Sequence, residues 1–174
     1  MKILLCRGKG GLIAKAIQWQ TRSPYSHASI LDQAGYVYEA AARGVVKVDT
    51  KGWTWEDAVK HWGEIEVLDV PVSQGQHADI LAFLEAQLGK GYDYTMVLRF
   101  ITRKQESRAS TGKWFCSELV FAAFHHAGLD LLRRTEPWEV SPGLLSRTPL
   151  GQELAYQKST RLDLTAASTV IFSA

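Results

Sequence analysis

Cysteine is scarce in this chain of 174 residues, which has only Cys6 and Cys116. Two cysteines are too few for a disulfide framework, and they lack the paired spacing of a zinc site. Cys6 ends a short apolar run and is interpreted as a core residue. The sequence therefore predicts neither a disulfide scaffold nor a structural metal site.

Long hydrophobic runs are also missing. Arg7 and Lys9 interrupt the apolar start of the chain before it reaches the length of a signal-peptide core. No segment approaches the roughly 20 apolar residues of a membrane span. We therefore expect a soluble, cytoplasmic protein with no integral membrane segment, although export by another route stays open.

Neither sign of charge is in large excess, since 20 basic and 18 acidic residues give a net charge of +2. This balance gives no electrostatic reason to expect a nucleic-acid partner. The length and the hydrophobic content of 46% predict a single domain, residues 1–174, with a substantial core. One local basic cluster is interpreted first as a solvated loop and second as an anion-binding rim; it contains Arg99, Arg103, Lys104, Arg108 and Lys113.

Hydrophobic periodicity predicts helices before and after a meander of antiparallel strands. This order indicates an α+β fold in which a sheet covers the apolar stripe of a helix beginning at Cys116. Residues 91–94 are predicted to form a turn. The predicted strands are 3–6, 27–31, 36–40, 45–48, 65–70 and, with less definition, 169–172; the predicted helices are 12–20, 53–62, 76–88, 95–101, 116–127 and 142–146.

Cys116 stands where the best-defined helix begins. Leu119, Val120 and Ala123 follow at the spacing of one helical face, and Gly128 supplies a stop. The positive end of a helix dipole and unpaired N–H groups favour a thiolate at such a position. A lone cysteine in an apolar segment is nevertheless more often a core residue, so the nucleophile interpretation needs a base nearby.

Only one of the five histidines has a suitable position. His125 and His126 lie about 14 Å along the helix from its start and cannot reach the thiol. His61 and His77 have no distinguishing surroundings. His27 begins a strand of the sheet that is expected to pack near the cysteine helix.

Glu39, on the next strand, is a candidate to orient His27. If the hairpin loop is residues 32–34, Leu31 pairs with Gly35 and Glu39 lies directly opposite His27, on the same face of the sheet. A two-residue loop would place Glu39 on the other face. Taken alone, His27 could equally be a hydrogen-bonded structural residue, and Glu39 a solvent-facing one.

Glu118 is a competing candidate because it is close to Cys116 in sequence. Residues two apart on a helix point to nearly opposite sides. Glu118 is therefore predicted to stabilise the first helical turn instead.

Four short motifs together resemble the permuted papain-like amidases of the NlpC/P60 superfamily, the YiiX/YaeF-like group. They are RSPYSHASI at 22–30, VYEA at 37–40, GYDY at 91–94 and FCSELV at 115–120. The resemblance runs from about residue 8 to about residue 145. The histidine motif precedes the cysteine motif, which is the order that a circular permutation of a papain-like enzyme leaves.

The resemblance implies that Cys116 is the nucleophile, that His27 is the general base and then acid, and that Glu39 orients His27. The backbone N–H of Cys116 is one oxyanion donor, and a second is not identified. Three aromatic residues either line the cleft or pack: Tyr25, Tyr92 and Trp114.

The implied reaction is amide hydrolysis through a thioester, in a peptide or a peptidoglycan-like peptide, without a metal or organic cofactor. Two alternatives stay open. One is a lipid-directed thiol acyltransferase or esterase, because relatives of lecithin:retinol acyltransferase share the His-first order. The other is a catalytically inactive binding module. The expected partner is a small peptide, a cell-wall fragment or an acyl substrate, and the oligomeric state is left open.

Overall fold

The structure is a computed structural model that describes residues 1–8, 11–95 and 112–150, together with the backbone of 152–153. Some predictions fall outside the described residues: the helix at 95–101 beyond Thr95, the strand at 169–172, and the positions Lys9, Arg99, Arg103, Lys104 and Arg108.

An antiparallel sheet is the centre of the fold, as predicted. Within the described residues it has six strands in the order β4-β3-β2-β1-β5-β8, with every neighbouring pair antiparallel. The strands are β1 (Lys2–Cys6), β2 (His27–Leu31), β3 (Tyr36–Ala41), β4 (Gly44–Asp49), β5 (Ile65–Asp69) and β8 (Gln152–Glu153).

The prediction of a turn at residues 91–94 is wrong at its first two positions. Gly91–Tyr92 forms a short strand, β6, that pairs in parallel with β7 (Lys113–Trp114). The composition of the segment favours a turn, whereas the pairing partner lies far along the chain, where no local pattern indicates it.

The predicted helices in the described residues are confirmed to within two residues at each end. They are α1 (Leu12–Thr21), α2 (Trp55–Trp62), α3 (Gln74–Gln87), α4 (Cys116–His126) and α5 (Pro142–Leu145), with a 3₁₀ turn at Pro137–Glu139. Side-chain caps fix where several begin: Thr54, Ser73 and Ser141 each accept a bond from a backbone N–H in the first turn. Among the described helices, none has the length and apolar content needed to cross a membrane.

The two faces of the sheet bury different sets of side chains. Because Leu5 pairs with Ala28 and Cys6 with His27, neighbouring residues of β1 and β2 alternate between the faces. One face packs against α3 and α4 and includes Ile3, Leu5, Ala28, Ile30, Tyr38, Ile80, Leu84, Leu119, Val120, Ala123 and Phe124. The other packs against α2 and includes Leu4, Cys6, Leu31, Val37, Ala58, Trp62 and Val67. The sheet therefore covers the apolar stripe of the cysteine helix, as predicted.

Helix α4 is enclosed along most of its length, because nearly every residue from Cys116 to Phe124 is buried. The Ser117 hydroxyl donates to the Val140 carbonyl oxygen at 2.6 Å and so ties α4 to the segment after the 3₁₀ turn. Gly128, with φ of 74°, follows the last turn and supplies the predicted stop. Burial on several sides holds the N-terminus of α4 in a fixed position at the end of the sheet.

Candidate active site

Cys116 is the first residue of α4. Its side chain is fully buried against Ile17 and Phe115, with Tyr92 and Trp138 packed around them. The Glu118 carboxylate accepts a hydrogen bond from the Phe115 N–H at 3.2 Å, so Glu118 stabilises the first helical turn, as predicted. A substrate can reach the thiol only where a neighbouring group moves aside.

The structure brings His27 and Glu39 together beside the thiol. His27 Nε2 lies 2.6 Å from Glu39 Oε2, and the His27 side chain is 20% exposed. The ring also interacts electrostatically with Cys116, and this interaction raises the pKa of His27. Because Glu39 occupies Nε2, Nδ1 is the ring nitrogen left to face the sulfur. The ring therefore stands between a carboxylate and a thiol.

The predicted pairing of Leu31 with Gly35 is wrong. Leu31 pairs with Val37, two positions later. The Asp32 N–H donates to the Tyr36 carbonyl oxygen at 2.9 Å, and Asp32 Oδ1 accepts from the Tyr36 N–H at 2.7 Å. These bonds close a hairpin around residues 33–35, so the loop has the expected three residues but begins one residue later.

The two-residue shift in register keeps Glu39 on the same face as His27. Continuing the observed pairing places Glu39 across from Ser29, so the carboxylate reaches His27 diagonally and not from directly opposite. A shift of one residue would have sent Glu39 to the other face. The face was therefore predicted correctly, although the paired residues were not.

His27 is poised to carry a proton at neutral pH. Burial alone would lower its pKa, but the hydrogen bonds and negative charges of Cys116 and Glu39 outweigh burial and raise the pKa of His27 to about 10. The ring is therefore cationic over most of the accessible pH range when the sulfur is a thiolate. The site therefore places a cationic ring between a buried carboxylate and the side chain of Cys116.

Trp62 is a site residue that the sequence did not indicate. Its indole N–H donates to Glu39 Oε2 at 2.9 Å, and His61 packs edge-on against the Trp62 ring with centroids 4.6 Å apart. Burial alone would raise the pKa of Glu39, but the bonds from His27 and Trp62 and the nearby charges of His27 and His61 lower it. Glu39 is therefore buried as a charged carboxylate with two donors on one oxygen.

Of the three aromatic residues considered for the cleft, only Tyr92 contacts the thiol in the described structure. Burial and the interaction with Cys116 raise the pKa of the Tyr92 hydroxyl. The Trp114 indole instead donates to Gln87 Oε1 at 3.1 Å, and the Tyr25 hydroxyl donates to Glu66. Tyr92 therefore joins the surroundings of the sulfur, whereas the other two have structural partners elsewhere.

Cys6 is buried, as predicted, directly across the strand pair from His27. Burial and the negative charges of Glu39 and Cys116 raise the pKa of the Cys6 thiol well above its ordinary value. The two cysteines therefore differ sharply: one starts a helix beside a histidine, and the other stays a neutral thiol within the sheet.

No family model matches the chain. The sequence is 29% identical over 189 aligned positions to the probable lipoprotein peptidase YaeF of Escherichia coli (strain K12). This alignment covers 91% of the present chain and 67% of YaeF. The fold matches the crystal structure of the metalloprotein yiiX from Escherichia coli O157:H7 with a TM-score of 0.68 and 22% identity, over 90% of this chain and 96% of yiiX. These similarities confirm the YiiX/YaeF-like resemblance and the papain-like α+β fold.

The description of yiiX as a metalloprotein applies to that protein. In the part of this chain that the structure describes, no three His, Cys, Asp or Glu side chains are grouped so that they could hold a metal ion.

Proposed function

We propose that this YiiX/YaeF-like protein is a cysteine hydrolase that cleaves an amide bond in a peptide or a peptidoglycan-like peptide. The observation that carries the proposal is the His27 ring, held by Glu39 at 2.6 Å and coupled electrostatically to the thiol that begins α4. The similarity to a protein named as a probable peptidase supports an activity of the peptidase or hydrolase kind.

The reaction would proceed in two acyl transfers. The Cys116 thiolate attacks the amide carbonyl carbon, and the His27 imidazolium gives its proton to the leaving amine, which leaves a thioester on Cys116. Water then attacks the thioester while His27 accepts its proton, releasing the acid and restoring the thiolate and imidazolium pair. Glu39 keeps the ring oriented throughout by accepting from Nε2.

Charge that develops on the carbonyl oxygen needs donors close to the sulfur. The first N–H groups of a helix have no carbonyl oxygen one turn earlier in the same helix, and Cys116 is the first residue of α4, so its backbone N–H is the first proposed donor. The Tyr92 hydroxyl, which contacts the sulfur, is available as the second donor that the sequence left unidentified.

A trapped acyl-enzyme would test the proposal directly. We expect incubation with muropeptides, quenching in acid and peptide mass spectrometry to show an acyl group on the Cys116 peptide. The Cys6 peptide of the same digest, which comes from a buried neutral thiol, should stay unmodified. A Cys116→Ala protein should show no adduct on any peptide.

The substrate comparison also separates the alternatives. Acylation of Cys116 by acyl esters but not by muropeptides would replace the proposal with a lipid-directed acyltransferase or esterase. Absence of an adduct with both substrates, combined with saturable muropeptide binding, would replace it with a binding module.

Glu39→Gln is expected to lower kcat about ten- to a hundredfold, because the neutral amide keeps the shape of the side chain but holds the His27 ring less firmly. Steady-state hydrolysis by the purified variant measures the loss. Since Glu39 orients the base and does not react, the loss should be smaller than that caused by Cys116→Ala. A loss as large as that of Cys116→Ala would contradict an orienting role.

Trp62→Phe tests the same carboxylate from its other hydrogen-bond partner. The substitution removes the indole donor at 2.9 Å from Glu39 and keeps an aromatic ring on α2. We expect a several-fold fall in kcat with little change in KM, because Trp62 acts on the reaction only through Glu39. The pH profile of kcat should shift in the same direction in both variants. A change confined to KM would show that Trp62 contributes to substrate binding instead.

A further inference from the structure

Helix α1 presents large apolar side chains to solvent. Leu12 is 89% exposed, Ile13 50% and Trp19 76%. Leu12, Ala16 and Trp19 are spaced four and three residues apart, so they share one side of the helix, with Ile13 next to them. A group of large apolar side chains exposed together on one side of a helix marks a surface that binds a partner.

The opposite side of α1 is firmly attached to the protein. Ile17 is buried beside Phe115 and Cys116. The Gln18 side-chain amide donates to the carbonyl oxygens of Arg7 at 2.6 Å and Pro24 at 2.7 Å. Helix α1 therefore cannot rotate to bury Trp19, and its outer face lies about one helix diameter, roughly 10 Å, from the proposed nucleophile.

The charged residues in the segment that contains α1 are all basic. Residues 1–31 contain five of the 20 basic residues and none of the 18 acidic ones, although Arg7 among them is paired with Glu64 at 2.9 Å. Lys15 is exposed between Leu12 and Trp19, and Arg22 is exposed at the end of the helix. Within the described residues, neither Lys15 nor Arg22 forms an ion pair.

We propose that α1 docks this protein on the surface of an anionic lipid bilayer. Leu12, Ile13 and Trp19 enter the boundary between headgroups and acyl chains, while Lys15 and Arg22 contact the anionic headgroups. A helix of ten residues lies in the plane of the surface and does not cross the bilayer.

A bilayer fits this surface better than a second copy of the chain does. In a symmetric dimer each subunit contributes the same patch, so Lys15 and Arg22 would face their own counterparts without a carboxylate in the same segment. Anionic lipids supply the opposite charge and an apolar layer together. Docking would also place the Cys116 site beside the membrane surface, although the proposal does not depend on the proposed chemistry.

Vesicle sedimentation with the full-length Cys116→Ala protein tests docking separately from catalysis. We expect the protein to co-sediment with vesicles of phosphatidylcholine and phosphatidylglycerol, and about tenfold less with phosphatidylcholine alone. Binding to the mixed vesicles should weaken as salt is added. The Trp19→Gln and Lys15→Glu variants should each lose about tenfold in partitioning, with unchanged thermal unfolding because both side chains are exposed.

Leu150→Gln is the matched control, because Leu150 is an exposed leucine, at 38%, outside α1. This variant should bind the mixed vesicles as the parent does. The proposal is overturned if the parent does not sediment with the mixed vesicles at low salt, or if Trp19→Gln binds them undiminished. A dimer in sedimentation velocity that Trp19→Gln dissociates, without vesicle binding, would overturn it in favour of a second copy.

Discussion

Replacing Cys116 with alanine is expected to abolish hydrolysis while leaving the fold intact. The substitution removes the proposed nucleophile, so the thioester cannot form, and kcat should fall by about four orders of magnitude or more. The side chain is buried with Ile17 and Phe115, and deleting its sulfur should cost only about 1 kcal/mol of folding stability. Steady-state hydrolysis and thermal unfolding of the same preparation measure the two effects.

Cys6→Ala is the matched control, because Cys6 is equally buried and lies directly across from His27. It should keep most of the wild-type kcat and lose a similar, small amount of stability. If Cys116→Ala hydrolyses its substrate at the wild-type rate, Cys116 is a core residue and the proposed mechanism is wrong. Equal losses of activity in both variants would indicate damage to packing and not the loss of a nucleophile.

The residues of the candidate site could be selected from the sequence because each has a local signature. Cys116 precedes a helical apolar stripe with a glycine stop, and His27 and Glu39 lie on strands with clear turn signals between them. Their relative placement depended on the register of one hairpin. The loop began one residue later than predicted, because the Asp32 side chain and backbone both bond Tyr36. Since this moved the register by two residues, Glu39 stayed on the face of His27.

Other parts of the site could not be predicted because they depend on how separate elements pack. Trp62 ends a helix that covers one face of the sheet, and nothing in its own segment shows that its indole N–H meets Glu39. Tyr92 reaches the thiol from a strand whose pairing partner lies far along the chain. The exposure of the apolar residues of α1 could not be predicted either, because an apolar stripe in a sequence normally indicates a buried face.

Replacing His27 with alanine is expected to slow alkylation of Cys116 at neutral pH. In the wild type the ring keeps its proton up to a pKa of about 10, and in the proposed mechanism this cation activates the sulfur beside it. Without the ring, the rate should rise with pH as it does for an ordinary thiol, and at pH 7 it should be at least about tenfold below the wild-type rate. Timed reaction with iodoacetamide, followed by mass spectrometry of the Cys116 peptide, gives the rate for each protein.

The sign of the pH dependence distinguishes this mechanism from a loss of packing. Below pH 10 the wild-type ring is cationic and should accelerate alkylation, whereas above pH 10 the ring is neutral and its charge no longer contributes, so the two rates should converge. Cys6 serves as an internal control, because it is as buried as Cys116 but its raised pKa keeps it a neutral, unreactive thiol. If Cys116 shows the same rate profile in both proteins, with Cys6 protected in each, His27 does not activate the thiol.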